Sequence, residues 1–149
     1  MSEPLIPGGY IIIARKLRKS PTWQCLTLKQ RIVALELLLQ AKHTAGFVSR
    51  NGEKVWLEAG QIATSYQNIV DDIALSEITP KVIRCALVKF KKLGFTAQEG
   101  AKEGAKKGLL ITVVNWDFYQ CPDNYRGKAK GTDKGRAGAK QGQSRGNKQ

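Results

Sequence analysis

The alternation of apolar and polar positions is clearest between residues 79 and 94. Thr79 can cap a helix with its hydroxyl, Pro80 suits the first helical position, and Gly94 suits a left-handed residue just beyond the end. At about 100° per residue, the apolar side chains gather on one side: Val82, Ile83, Ala86, Leu87, Phe90 and Leu93. The other side collects Lys81, Arg84, Cys85, Val88 and Lys92. The pattern predicts a helix with one buried face and one basic face.

Two more helices are predicted upstream of it. Thr27 and Gln30 have the spacing of a capping box. The apolar positions behind this box recur at helical spacing: Leu28, Ile32, Leu35 and Leu39, with Val33, Leu37 and Leu38 widening the stripe. We expect this helix, with Gly46 as its end, to lie at the centre of the core. Residues 64–67 offer another cap, and the helix behind them has an apolar face made of Tyr66, Ile69, Val70 and Ile73.

Strand signals occur on both sides of these helices. Residues 10–14 are rich in β-branched side chains and predict a strand. Asn51-Gly52 lies between two apolar runs and predicts a hairpin, because a type I′ turn needs positive φ at both positions. Residues 95–99 and 109–114 are two further strand candidates.

The order of these elements is that of a winged helix-turn-helix, an α+β fold. The helices near residues 66 and 80 would form the turn unit, and the 95–114 hairpin would be the wing. The chain would add an extra N-terminal strand and helix, and Asn115 would cap a last short helix. We divide the chain into a flexible N-terminus (1–9), a winged-helix domain (10–120) and a disordered tail rich in Gly, Lys and Arg (121–149).

The net charge is strongly positive, at +13 for 149 residues. Residues 121–149 hold eight Lys/Arg and two Asp, a net of +6, which leaves +7 on residues 1–120. A basic domain with a basic tail favours a polyanionic partner, with double-stranded DNA first and an anionic membrane second. No apolar run is long enough to span a bilayer. The three scattered cysteines fit free thiols in a reducing cytoplasm.

The predicted DNA contacts follow from the geometry of a helix in the major groove, whose N-terminal residues reach deepest. Lys81 and Arg84, with Cys85 beside them, are candidates to meet base edges, and Val88 suits a thymine methyl. Residues farther along the helix, in the wing and at helix starts are candidates to contact DNA phosphates. The predicted DNA-binding set is Ser65, Thr79, Lys81, Arg84, Val88, Lys89, Lys92, Lys102, Lys106 and Lys107.

The sequence offers no constellation typical of an enzyme. Asp71 and Asp72 are adjacent on a helix, so their side chains point about 100° apart and make a poor two-metal clamp. His43 is the only histidine and has no acid or nucleophile nearby. The glycines of residues 100–108 lack the spacing of a phosphate-binding loop. We therefore expect no catalysis, no cofactor and no bound metal.

Several short motifs follow one another in a distinctive order between residues 9 and 120. They are residues 9–11, 15–17, 20–21 with Trp23, 38–43, 60–65, 82–87, 92–95 and 111–117. Together they resemble the N-terminal winged-helix domain of DnaD-like replication proteins and phage replisome organisers. The resemblance implies an initiation or helicase-loading accessory protein that often self-associates and acts on the nucleoid in the bacterial host cytoplasm. Cys85 stands where such proteins usually carry a second basic residue.

Two other functions fit the same elements. A winged-helix transcriptional regulator would use the same domain, and mapping bound sites to an origin or to promoters separates it from a replication protein. A protein–protein adaptor would use its first strand and wing for self-assembly, with charge serving only solubility.

Deleting residues 121–149 is expected to lower affinity for all duplexes and to flatten the salt dependence, by about 0.9 in log–log slope for each phosphate that the tail neutralises. Sequence preference should persist, because the tail has no base-reading element. Fluorescence anisotropy on two unrelated duplexes over a salt series measures both quantities. A truncated chain without sequence preference but with full affinity would contradict this division of roles.

Overall fold

The computed structural model describes residues 5–50, 52–100 and 108–126, which form a mixed α+β fold. The helices are α1 (Pro21–Gln24), α2 (Leu28–Gln40), α3 (Tyr66–Ile73), α4 (Pro80–Leu93) and α5 (Trp116–Tyr119), with 3-10 helices at Arg15–Lys19 and Pro122–Tyr125. The strands are β1 (Gly46–Arg50), β2 (Glu53–Leu57), β3 (Gln61–Thr64), β4 (Thr96–Gly100) and β5 (Leu109–Val113). Among these described helices, none is both long and apolar enough to cross a membrane.

The strands form two antiparallel sheets. β1 and β2 make the separate hairpin that the Asn-Gly signal predicted, and in this hairpin Phe47 is opposite Trp56. β5 lies between β3 and β4, so Ile111 pairs with Ile62 on one side and with Gln98 on the other. Alternate residues of the three-stranded sheet turn inward and are buried: Ile62, Thr64, Thr96, Ile111 and Val113.

The core forms where this sheet meets α2, α3 and α4. The inner face of α4 is almost wholly buried, with Ile83, Ala86, Leu87 and Phe90 at most 1% exposed. Phe90 also packs edge-to-face on Phe95, with ring centroids 5.1 Å apart. Removing this much apolar surface from water is the main force holding α4 in place, and it fixes which side of the helix faces solvent.

The prediction for α2 is confirmed for Val33 and Leu37, which are fully buried, and wrong for Leu28, Leu35 and Leu39, which are exposed. The side chains that enter the core are Val33, Ala34 and Leu37, whereas Leu28 and Leu39 are 75% and 65% exposed. Leu35 is also exposed, and Ile32 is half-buried. The helix is apolar on two sides, so periodicity alone cannot choose between them, and contacts with α3 and α4 decide. The predicted end was also wrong, since α2 ends at Gln40 and Gly46 opens β1.

The capping prediction for α2 is confirmed in detail. Thr27 Oγ1 accepts a hydrogen bond from the Gln30 N–H at 3.2 Å, and Gln30 Oε1 accepts one from the Thr27 N–H at 3.0 Å. This reciprocal capping box satisfies a backbone donor at each of two positions, and thereby fixes where the helix begins.

The strand predicted at residues 10–14 does not form. The segment instead lies against Gln120, whose side-chain Oε1 accepts from the Ile12 N–H at 2.8 Å and whose Nε2 donates to the Ile12 C=O at 3.0 Å. One amide side chain thus takes the place of a neighbouring strand. The N-terminal addition consists of helices, and Ser20 caps α1 by accepting a hydrogen bond from the Trp23 N–H at 3.2 Å.

Two features near the sheet differ from the sequence prediction. The strand β3 was not predicted, because it is four residues long and is defined only by its pairing with β5. The short helix expected after Asn115 is present as α5, but Asn115 has a left-handed backbone (φ 63°, ψ 26°) and its side chain makes no capping hydrogen bond. Its carbonyl instead accepts from the Tyr119 N–H at 3.1 Å.

Gly60 lies where the chain after α2, the start of β3 and α5 meet. Its φ is +88°, and a Cβ at this position would lie 2.6 Å from Trp116 Cβ. The Gly60 N–H donates to the Lys42 C=O at 2.7 Å, and its C=O accepts from the Val113 N–H at 2.8 Å. The buried Trp116 in turn donates from Nε1 to the His43 C=O at 3.3 Å. Only glycine combines this backbone angle with this close approach.

Replacing Gly60 with Ala is expected to lower the free energy of unfolding by about 2–5 kcal/mol. About 1–2 kcal/mol comes from the positive φ, and a further ~1–3 kcal/mol from overpacking against Trp116. Gly94→Ala is the matched control, because Gly94 also has positive φ (+76°) but a Cβ there would extend into open space. Urea denaturation followed by circular dichroism measures both, and equal losses of stability would show that the close approach to Trp116 is unimportant.

Candidate nucleic-acid interface

The helix α4 begins and ends at the predicted residues. Thr79 Oγ1 accepts a hydrogen bond from the Val82 N–H at 3.3 Å, and Pro80 occupies the first turn. Gly94 ends the helix in the left-handed region, and its N–H bonds to the Lys91 C=O at 3.1 Å. These local signals set the register of α4, and the register decides which residues share its outer face.

The outer face of α4 carries most of the predicted contacts. Lys81, Arg84 and Lys92 are exposed, and Val88 between them is 50% exposed. The structure therefore brings these four residues together along one side of one helix. Lys89 differs from them, since it is half-buried at the flank.

A groove runs beside this face, between α4, the start of α3 and β4. Its volume is about 510 Å³. The residues lining it are Tyr66, Arg84, Leu87, Val88, Lys91, Lys92 and Gln98. The floor is thus apolar and the rim is cationic, which is the composition of a surface that meets both bases and phosphates.

Four of these lining residues were missing from the predicted site, and one of them, Leu87, belongs to the buried face of α4. Lys91 lies at the edge of the exposed arc of α4, and Gln98 lies on β4 next to the helix. Tyr66 was assigned to the apolar face of α3, where it is half-buried against the core. A period of two along β4, with Thr96 buried and Gln98 half-buried, is the signal that could have pointed to Gln98.

The cations of α4 have no acidic neighbours on their own helix. α4 holds five Lys or Arg and no Asp or Glu. The first turns of α2, α3 and α4 also contain no acidic residue. Across the described ranges the one ion pair joins Arg126 and Asp123 at 2.7 Å, so it neutralises none of the α4 cations. An uncompensated cationic face of this kind attracts a polyanion.

Ser65 and Thr79 serve first as helix caps. Ser65 Oγ accepts from the Asn68 N–H at 3.1 Å at the start of α3, as Thr79 does from Val82 at the start of α4. Each hydroxyl accepts through its oxygen and still has its own hydrogen to donate. Capping and donation to a phosphate oxygen are therefore compatible at both residues.

The predicted wing residues Lys102, Lys106 and Lys107 lie outside the described residues. The two strands that lead into and out of that segment, β4 and β5, are described and pair with each other from Thr96↔Val113 to Gly100↔Leu109. The predicted tail beyond residue 126 also lies outside them.

Replacing Thr79 with Ala should lower the free energy of unfolding by about 1 kcal/mol, because the Val82 N–H would have no capping partner. Thr79→Asp keeps an acceptor at the cap and adds a carboxylate near the positive end of the helix, so its stability should stay close to that of the parent. Urea denaturation measures both variants. An Ala variant as stable as the parent would show that the 3.3 Å capping bond contributes nothing.

Comparison with protein-family models, with curated proteins and with solved structures finds no match to this chain.

Proposed function

We propose that this protein binds duplex DNA through the outer face of α4. The observation that carries the proposal is the row Lys81, Arg84, Val88 and Lys92, exposed along one side of a helix that has no carboxylate. The opposite side of α4 is buried, so the helix is held rigidly while its cationic side faces solvent. A rigid helix with such a face can enter the major groove with little further ordering of its backbone.

The arrangement of elements supports a winged helix-turn-helix. In chain order, α2 is followed by β3, α3, α4, β4 and β5, and β3 completes a sheet with the two later strands. In this proposal α3 and α4 form the turn unit, and the β4–β5 hairpin is the wing. The hairpin β1–β2 is an addition between α2 and β3.

The dimensions of α4 fit a groove-binding role. Its 14 residues span roughly 21 Å, and the major groove is about 12 Å wide, which is enough for a helix. Lys81 and Arg84 lie in its first half and would approach base edges, with Val88 next to them. Lys91 and Lys92 lie in its last turn and would meet phosphates.

This division implies modest sequence preference on a strong electrostatic background. Few side chains are placed to read bases, whereas the cations of α4, of the wing and of the tail can all neutralise phosphate. We expect Ser65 and Thr79 to add hydroxyl donors to phosphate oxygens at the starts of α3 and α4.

The biological role that we propose is that of a replication accessory protein of a phage or mobile element. It rests on the motif resemblance, which also suggests partners among replication initiation or helicase-loading proteins. Chromatin capture in the native host tests it, because bound sites clustered at a replication origin support this role and bound sites at promoters contradict it.

Replacing Lys81, Arg84 and Lys92 together with Ala should weaken duplex binding about 100-fold at low salt. It should also reduce the slope of log K against log salt by about 1, because Lys92 is the one of the three that would meet a phosphate. It should relax sequence preference as well, because Lys81 and Arg84 would meet bases. Fluorescence anisotropy over a salt series gives both values, and circular dichroism checks that the variant is folded.

The matched control is the triple variant Arg15→Ala, Arg18→Ala and Lys19→Ala. It removes the same number of charges from the 3-10 helix at Arg15–Lys19, none of whose residues lines the α4 groove. We expect a much smaller decrease in affinity from it. Equal decreases in the two triple variants would mean that net charge alone, and not the α4 face, accounts for binding.

A further inference from the structure

The helix α2 has an apolar face that its own domain leaves uncovered. Leu28, Leu35 and Leu39 are 75%, 37% and 65% exposed, and Ile32 between them is half-buried. Single exposed apolar residues are common on protein surfaces. Four of them in one row on a single 13-residue helix form a contiguous apolar strip, which is less usual.

This strip lies on the opposite side of α2 from the core. At about 100° per residue, the four side chains fall within an arc of roughly 60°, whose centre is about 180° from that of Val33, Ala34 and Leu37. The core therefore cannot cover the strip by any rotation of α2 that keeps those three residues buried.

The spacing of the strip is that of a coiled-coil seam. Steps of four, three and four residues from Leu28 to Leu39 place the four side chains at alternating d and a positions of a heptad. A seam of this kind is covered by another helix with the same spacing, and a second copy of this chain supplies one.

We propose that α2 packs antiparallel against α2 of a second copy about a two-fold axis. The strip is complementary to itself in this arrangement. Leu28 of one copy lies opposite Leu39 of the other, and Ile32 lies opposite Leu35. A two-fold interface needs such self-complementarity, since each contact occurs twice.

The charges beside the strip favour the same arrangement. Lys29 and Glu36 both lie at e positions, and e positions face each other across an antiparallel pair, so Lys29 of each copy meets Glu36 of the other. On the opposite flank, Arg31 is stacked on Trp23 with its guanidinium carbon 5.0 Å from the ring centroid. Parallel pairing would need that same Arg31 to face Glu36, and it would also align the two helix dipoles unfavourably.

The expected dimer is weak and leaves α4 free. A 13-residue helix is about 20 Å long. The surface area that the two copies bury is therefore at the low end for specific interfaces, below about 1,200 Å² in total. Because α2 and α4 pack into the same core through their inner faces, the outer faces of both helices turn away from that core. The basic face of α4 is then not part of the seam in either copy. Resting on the proposed function, this dimer would hold two separate duplexes.

Charge reversal at the seam provides the first test, using the full chain and sedimentation velocity between about 1 and 200 µM. The parent should show a reversible monomer–dimer equilibrium. Lys29→Glu alone and Glu36→Lys alone should each weaken the dimer about tenfold or more at low salt, because each puts like charges together twice. An equimolar mixture of the two variants should form a heterodimer at parental strength or better, since the arrangement then offers pairs of opposite charge across the seam.

An apolar-to-charged substitution provides the second test. Leu39→Lys on the exposed strip should abolish the dimer and leave the fold intact by circular dichroism. Leu75→Lys is the control, because Leu75 is 45% exposed but lies outside α2. The proposal would be overturned if the parent stays monomeric to about 200 µM or if the mixture of charge-reversed variants forms no heterodimer. It would also be overturned if Leu39→Lys and Leu75→Lys weaken the dimer equally.

A bridging assay separates this proposal from the proposed function. Beads carrying one duplex should capture a second, labelled duplex with the parent and not with Leu39→Lys, while both proteins should bind a single duplex with similar affinity in anisotropy. If neither the parent nor Leu39→Lys binds DNA but the parent still dimerises, the proposed function fails and the α2 interface stands. If Leu39→Lys is monomeric yet captures the second duplex as well as the parent does, bridging through α2 is excluded.

Discussion

The close approach of Gly60 to Trp116 is the constraint on which the rest of the fold depends. The indole is buried at the point where β3 begins, and a side chain larger than hydrogen at residue 60 would occupy the same space. The two backbone hydrogen bonds of Gly60 tie Lys42, just after α2, to Val113, the last residue of β5. The three-stranded sheet is therefore fixed relative to α2, and the space left between them is the one that α3 and α4 fill.

The position of α4 then decides what its sequence can do. Its inner face is buried in the core, so four of its five cations are exposed and the fifth, Lys89, is half-buried at the flank. Lys81 lies in the first turn, next to the positive end of the helix dipole, and pairs such as Lys81 and Arg84 repel each other at a spacing of three residues. Each of these effects costs a few tenths of a kcal/mol. A surface arranged only for solubility would intersperse carboxylates with the cations, whereas this one accumulates a single sign of charge. In the proposed complex, the phosphates of DNA would offset that repulsion.

The features that could be predicted from the sequence are those whose cause is local. The ends of α4 and its buried face follow from one cap, one proline, one glycine and one apolar stripe. Features that depend on distant residues could not be predicted. α2 is apolar on two sides, so tertiary contacts choose between them, and the 10–14 segment meets the Gln120 side chain, 108 residues away from Ile12, instead of a strand. β3 becomes a strand only through β5. For the same reason Arg84 could be placed on the outer face of α4 from the sequence, but Gln98 joins the groove only because β4 lies beside α4.

The core also separates the two exposed faces of the domain. The strip on α2 and the cationic row on α4 both face away from the core that the two helices share, and no described residue belongs to both. Contacts made at one face therefore leave the contacts at the other unchanged, as expected for sites without shared partners. If pairing through α2 affects DNA binding, it does so through effective concentration, because a duplex held by one copy brings its neighbouring segments close to the second copy. Such an effect depends on the length and flexibility of the DNA between the two bound segments. An allosteric effect would instead require two alternative packings of the core that lies between α2 and α4.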